Sequence, residues 1–158
     1  MKQTKRMKKV NHNQPRAVEY PVFADDRGTF APFINGLEEI APKAGVIKRM
    51  YYVCNDSKEV VRGFHYHEKE WKFFVIVSGS AKFVALDPDK PDDKFQFVSS
   101  VRKNNLIIIP PFYANGWVSL SDDTILICAS TSTTQESLKD DKRFDPYKWG
   151  DVWSVKAR

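Results

Sequence analysis

Two of the chain's three histidines, His65 and His67, sit two positions apart in the run Arg62-Gly63-Phe64-His65-Tyr66-His67, with Lys72 five residues further on. Imidazole is the side chain whose ordinary titration falls near neutral pH, so a histidine pair aimed into one space is suited to taking and returning protons. Side chains alternate along an extended strand, which predicts that His65 and His67 share one face while Arg62, Phe64 and Tyr66 take the other. A lone strand histidine is commonly just a hydrogen-bonded core or surface residue. Here Arg62 and Lys72 crowd titratable groups among aromatics, the setting in which a catalytic base is found.

The elements that must hold these residues read as strands. Phe73 to Val77 is apolar, aromatic or β-branched, as in a strand covered on both faces, and Ser78-Gly79 ends it; Ser80 to Leu86 is the expected return strand of one central hairpin. Val18 to Ala24 and Thr29 to Ile34 are predicted to flank the turn Asp25-Asp26-Arg27-Gly28. Gly36 to Ala44 reads as a loop with at most one helical turn at Leu37 to Ile40, and Gly45 to Asn55 as a central strand. The turn-rich Asp87 to Asp93 follows, then strands at Phe95 to Val101, Leu106 to Ile109, Gly116 to Leu120 and Thr124 to Ala129. About nine or ten short strands at this spacing predict an all-β antiparallel sandwich or barrel. From Thr131 onward the chain reads as a C-terminal extension packed on the outside by Trp149 and Trp153.

Length, 158 residues, suits one domain, predicted over 17–158 after a basic tail at 1–16. That tail holds Lys2, Lys5, Arg6, Lys8, Lys9 and Arg16 and no acid, while the whole chain is +5, so the remainder is nearly neutral. A short basic end is ordinarily a solvated one, and neither a nucleic-acid nor a membrane partner is expected from it. No apolar run is long enough to span a bilayer, and none follows the basic residues as in a secretory signal. Cys54 and Cys128 form no pairing pattern, which predicts a reduced, cytoplasmic protein.

With these segments in order, the chain resembles the cupin-fold family of dTDP-4-dehydrorhamnose 3,5-epimerases and the related dTDP-sugar 3,4-ketoisomerases. Epimerase-like pieces are Asp26-Arg27-Gly28-Thr29-Phe30, Arg62-Gly63-Phe64-His65-Tyr66, Lys72, Ile109-Pro110-Pro111-Phe112-Tyr113-Ala114-Asn115-Gly116-Trp117 and Leu120-Ser121. Ketoisomerase-like pieces are Ile47-Lys48-Arg49-Met50-Tyr51-Tyr52, the second histidine His67, and Ser121 to Ser130. The resemblance implies a cupin jelly roll and an isomerase acting on a dTDP-4-keto-6-deoxyhexose in deoxysugar or polysaccharide biosynthesis, with no cofactor. It implies His65 as the base that forms an enolate, Lys72 as the cation meeting the enolate oxygen, and Arg27 and Arg62 near the diphosphate. Phe30, Tyr51 and Asn115 complete the expected substrate contacts, and His67 and Tyr52 the catalytic set.

Departures from the epimerase pattern accompany the likeness. Cys128 stands where that pattern has its acid tyrosine, Asn115 replaces a histidine, and the aspartate that partners the base is expected to lie beyond this chain's end. His67, Tyr51 or Tyr52 then remain as substitutes for the acid, as in the ketoisomerase branch. A metal cupin is the competing class, but its glutamate position falls at Trp71-Lys72, Glu68 and Glu70 lie too near, and its later histidine is Asn115. No metal is therefore expected. A cupin that binds a nucleotide sugar without transforming it is the third reading, favoured by Cys128 and opposed by His65 and Lys72. A homodimer is expected in which the strand region Val18 to Ile34 crosses to, or packs against, the neighbouring subunit.

Overall fold

The computed structural model describes residue 11 and residues 13–156. Most of the basic tail lies outside the described residues. In chain order the strands are β1 (Arg16–Glu19), β2 (Phe23–Asp25), β3 (Gly28–Phe30), β4 (Arg49–Asn55), β5 (Val61–Tyr66), β6 (Lys72–Ser78) and β7 (Ser80–Asp87). They continue with β8 (Lys90–Ser100), β9 (Asn105–Ile109), β10 (Ala114–Ser119), β11 (Thr124–Ser130) and β12 (Lys142–Arg143). Two helices, α1 (Leu37–Ile40) and α2 (Thr134–Asp140), interrupt them.

Two five-stranded antiparallel sheets, ordered β1-β9-β6-β11-β4 and β12-β5-β10-β7-β8, face each other as a jelly roll. Phe74 and Ile76 of β6, Phe83 of β7, Ile107 of β9, Trp117 of β10 and Leu126 of β11 fill the space between them. Each sheet is covered outside as well, which is why the strands read as unbroken apolar runs. Phe73, Val75, Leu106 and Ile108 lie under Tyr20, Trp71 and the segment holding Phe33, Leu37 and Ile40. Phe64, Val84, Leu86 and Val118 lie under Trp149, Val152 and Trp153, the exterior packing expected of the two tryptophans.

Four expectations about the strands are corrected. The segments β5 and β6 do not form a hairpin: they belong to opposite sheets, and residues 67–71 cross between them. β7 likewise pairs with β10 and β8, not with β6. β4 is an edge strand, and its apolar character on both sides arises because Arg49, Tyr51 and Val53 turn inward while Met50 and Tyr52 are left exposed. Val18 to Ala24 also divides, the first part pairing with β9 and the second forming the separate β2–β3 hairpin.

Candidate active site

A cavity of about 460 Å³ opens between the sheets, lined from four sides. β4 contributes Arg49 and Tyr51, β5 Arg62 and His65, β10 Asn115 and Trp117, and the end of α2 supplies Ser137 and Asp141; His67 and Lys72 close the space. Arg62 was predicted to face away from His65. In the structure the pairing of β5 with β10 slips between Asn115↔His65 and Trp117↔Arg62, so three residues of β5 span two of β10. That bulge turns both Arg62 and His65 into the cavity. Gly63 and Gly116 meet there, and a Cβ on Gly116 would lie 2.6 Å from the Arg62 carbonyl oxygen and 2.8 Å from the Gly63 Cα.

His65 Nδ1 lies 3.0 Å from Asp141 Oδ1. Burial works against the charge of Asp141, yet hydrogen bonds from Arg143 and His65 outweigh it and hold the carboxyl below its usual range. An ionised carboxylate only accepts, so His65 Nδ1 is the donor, and in the neutral imidazole that leaves the lone pair on Nε2. This is the geometry of an oriented general base. The aspartate expected beyond the chain's end thus has a counterpart inside the chain, one residue past α2.

The second histidine is in a different state. Lys72 Nζ lies 3.0 Å from His67 Nε2, and because an ammonium only donates, His67 Nε2 is the acceptor and Nδ1 bears the hydrogen. Burial first, and then the Lys72 charge, lower the His67 pKa to about 4. His67 Nδ1 is 3.1 Å from Glu70 Oε2 but not aligned for a hydrogen bond, so this buried N–H has no partner. Glu70 is itself buried: Arg49 Nη2 donates to it at 2.8 Å and Ser137 Oγ at 2.7 Å, with Ser130 as a further donor. Burial opposes its charge, and Lys72 and the two hydroxyls overcome that and keep its pKa low.

Tyr51 and Tyr52 separate by strand alternation. Tyr51 lines the cavity, whereas Tyr52, expected in the catalytic set, is 72% exposed on the opposite face of β4 and does not line it. Cys128 is fully buried on β11 directly across from Tyr51, and burial pushes its thiol up to about 11. Asn115 is buried with its amide donated to the carbonyls of His65 and Tyr113, at 3.0 and 3.1 Å, so it braces the base strand. Arg62 Nε donates to Asn55 Oδ1 at 2.6 Å. Arg27 and Phe30 do not line the cavity; they lie exposed on the β2–β3 hairpin, where Arg27 pairs with Asp25. Among the described residues no group of three or more His, Cys, Asp or Glu is placed to hold a metal ion. No helix among them is long and apolar enough to cross a membrane.

Sequence reading missed Asp141, Glu70, Ser137 and α2 itself. The signal for α2 was Thr133-Thr134-Gln135-Glu136, a capping box: Thr133 N donates to Glu136 Oε2 at 2.8 Å and Glu136 N to Thr133 Oγ1 at 3.2 Å.

An oriented imidazole, a lysine and a phenol around one cavity in a jelly roll of the cupin class form a site suited to moving protons. A sequence model of the family described as dTDP-4-dehydrorhamnose 3,5-epimerase matches residues 12–148. The chain belongs to that family, and with it to the isomerases of dTDP-linked deoxysugars. No curated protein matches the sequence. Among solved structures, RmlC epimerase of Mycobacterium tuberculosis is similar at TM-score 0.80 and 16% identity, over 92% of this chain and 76% of that one. RmlC of Legionella pneumophila, in complex with dTDP-4-keto-L-rhamnose, is similar at TM-score 0.80 and 18% identity, over 94% and 82%. QdtA, a sugar 3,4-ketoisomerase of Thermoanaerobacterium thermosaccharolyticum in complex with TDP, is similar at TM-score 0.69 and 21% identity, over 83% and 88%.

Proposed function

We propose that the protein enolises a dTDP-4-keto-6-deoxyhexose at one carbon beside the ketone, with His65 as base and Tyr51 as the proton donor. The observation that carries this reading is the convergence of His65, on the second sheet, and Tyr51, on the first, on one cavity with Lys72 beside them. His65 Nε2 takes the carbon-bound proton while Asp141 stabilises the imidazolium that results; general bases of this kind contribute roughly 10²–10⁴ in rate. Lys72 meets the oxygen on which enolate charge develops. Arg62 and Arg143 at the rim give the cavity the donors that a diphosphate requires. The reaction needs no metal: the ammonium of Lys72 against His67 disfavours a dication there. The enzyme acts as a cytoplasmic homodimer in which the β2–β3 hairpin, with Arg27 and Phe30, packs against the neighbouring subunit.

The phenol that the epimerase pattern places on β11 is replaced by the short, buried Cys128, which leaves the donor on β4. That change favours action at a single carbon over double epimerisation. A specific observation also favours 3,4-ketoisomerisation: His67 and Tyr51 both line the cavity, as expected in that branch. Nuclear magnetic resonance of a dTDP-4-keto-6-deoxyhexose in heavy water tests the reading. Deuterium at one carbon with inversion means epimerisation, and migration of the ketone means ketoisomerisation. No deuterium, or deuterium at both carbons flanking the ketone, would overturn the proposal.

A further inference from the structure

Arg49 and Tyr51 are two positions apart on β4 and share its inward face. The guanidinium carbon of Arg49 lies 5.0 Å from the centroid of the Tyr51 ring, within cation–π range. The guanidinium is not free to swing. Glu70, whose side chain is 0% exposed, accepts from Arg49 and is itself fixed by Ser130 of β11 and Ser137 of α2. Arg49 Nε is buried with no hydrogen-bond partner, so the arginine is held by its outer nitrogen and its ring contact, not by an optimal set of acceptors.

We propose that Arg49, clamped by Glu70, is a positioning residue that holds the Tyr51 ring and supplies the positive charge against which its phenolate forms during proton transfer. This rests on the reading above in which Tyr51 is the donor. When Tyr51 donates, its O–H bond breaks, the proton goes to the enolate, and the oxygen keeps the electron pair; His65 holds the proton removed from the sugar. Transfer of that proton back through solvent resets both groups with no redox change. Burial is the largest obstacle to a charged Tyr51, and Cys128 on β11 and Glu70 before β6 oppose it as well. Among the groups that act most strongly on the phenol, the Arg49 charge favours ionisation. A phenol in such surroundings is a weak donor unless a fixed cation meets the charge it develops.

The test is a double-mutant cycle on net turnover of the ketosugar, with Arg49→Met introduced into the natural chain and into Tyr51→Phe. Arg49→Met should lower kcat at least about tenfold in the natural chain, the effect of roughly 1.4 kcal/mol on a barrier, with KM little changed. It should change kcat less than about twofold in Tyr51→Phe, where no phenolate can form. Placing 3,5-difluorotyrosine, a more acidic phenol of nearly the same size, at position 51 should recover most of the Arg49→Met loss. An equal loss in both backgrounds, or no recovery by the fluorinated phenol, would overturn the inference while leaving Tyr51 as donor. Full turnover by Tyr51→Phe would instead remove the donor assignment and this inference with it. Because Arg49→Met leaves Glu70 buried without its cation, the pair Arg49→Met/Glu70→Gln is measured in parallel and should show the same dependence on Tyr51.

Discussion

Cys128 on β11 stands directly opposite Tyr51 on β4, and its side chain is completely buried. The pair places the phenol one strand away from where the epimerase pattern would carry it. Tyr51→Phe should therefore lower net turnover by roughly 10²–10⁴, while exchange of the substrate proton with solvent continues through His65. Loss of exchange and turnover together would show that the phenol serves binding and not proton donation. Cys128→Tyr should not restore a double epimerase. The site is completely buried, so the larger ring overpacks it at a cost of about 1–3 kcal/mol, read as a lower melting temperature.

The gathering of His65, Lys72 and Arg62 at one cavity was legible because the three stand close together in one short run, and the strands because their apolar runs are short and bounded by turns. What local pattern could not supply was pairing across the sheets. Nothing between Val61 and Gly79 says that β5 and β6 enter different sheets, and strict alternation assigned Arg62 to the wrong face because the bulge depends on the partner strand β10. Tyr51 and Tyr52 are chemically equal neighbours, and only the edge position of β4 separates them. Asp141 lies 76 residues from His65, a distance in sequence that no motif spans. The segment from Thr131 looks like a polar extension, but α2 folds it back so that Asp141 reaches the base.

The close approach of Gly116 to the Arg62 carbonyl and to Gly63 accounts for both glycines in the two motifs. Gly116→Ala would drive its Cβ into backbone, with Trp153 Cη2 only 2.9 Å away on the same side. Since backbone has to move, the expected cost is about 1–3 kcal/mol, measured by urea unfolding. Solvent exchange at the substrate carbon should fall as well, because the same bulge aims His65. Unchanged stability and exchange would mean that the bulge relaxes freely.

His67 carries a pH signature. Its folded pKa of about 4 lies below the ordinary 6.5, so between these values the unfolded chain binds a proton that the folded chain does not. Stability contributed by this group is thus present above 6.5 and is lost as pH falls toward 4. Urea unfolding of the natural chain should weaken through that window more steeply than unfolding of His67→Asn. Parallel curves would show that His67 is not held neutral in the fold.

Phe23 and Phe30 stack at 6.3 Å on a hairpin that joins neither sheet, and both are more than half exposed. Exposed aromatics on an unsupported hairpin are most simply covered by a symmetric partner. Light scattering at micromolar concentration should give twice the 18.2 kDa chain mass. The double substitution Phe23→Ser/Phe30→Ser should shift the equilibrium toward monomer and weaken nucleotide binding, since Arg27 rides on the same hairpin. A natural chain that is monomeric at that concentration would sink the arrangement.

The His65–Asp141 contact makes separable demands on the base and its orienter. His65→Asn removes the proton acceptor and should cut solvent exchange at the carbon beside the ketone by at least about 10², with nucleotide affinity largely kept because Arg62 and Arg143 remain. Asp141→Asn keeps the shape, but its amide can donate to Nδ1 and so favour the tautomer that places the hydrogen on Nε2, where the lone pair is needed. Exchange should fall by a comparable factor, and histidine nitrogen resonances should report the changed tautomer of His65. Retention by His65→Asn of more than about a tenth of the exchange rate, against that 10² floor, would transfer the role of base to His67. In that case His67→Asn, and not His65→Asn, would abolish exchange.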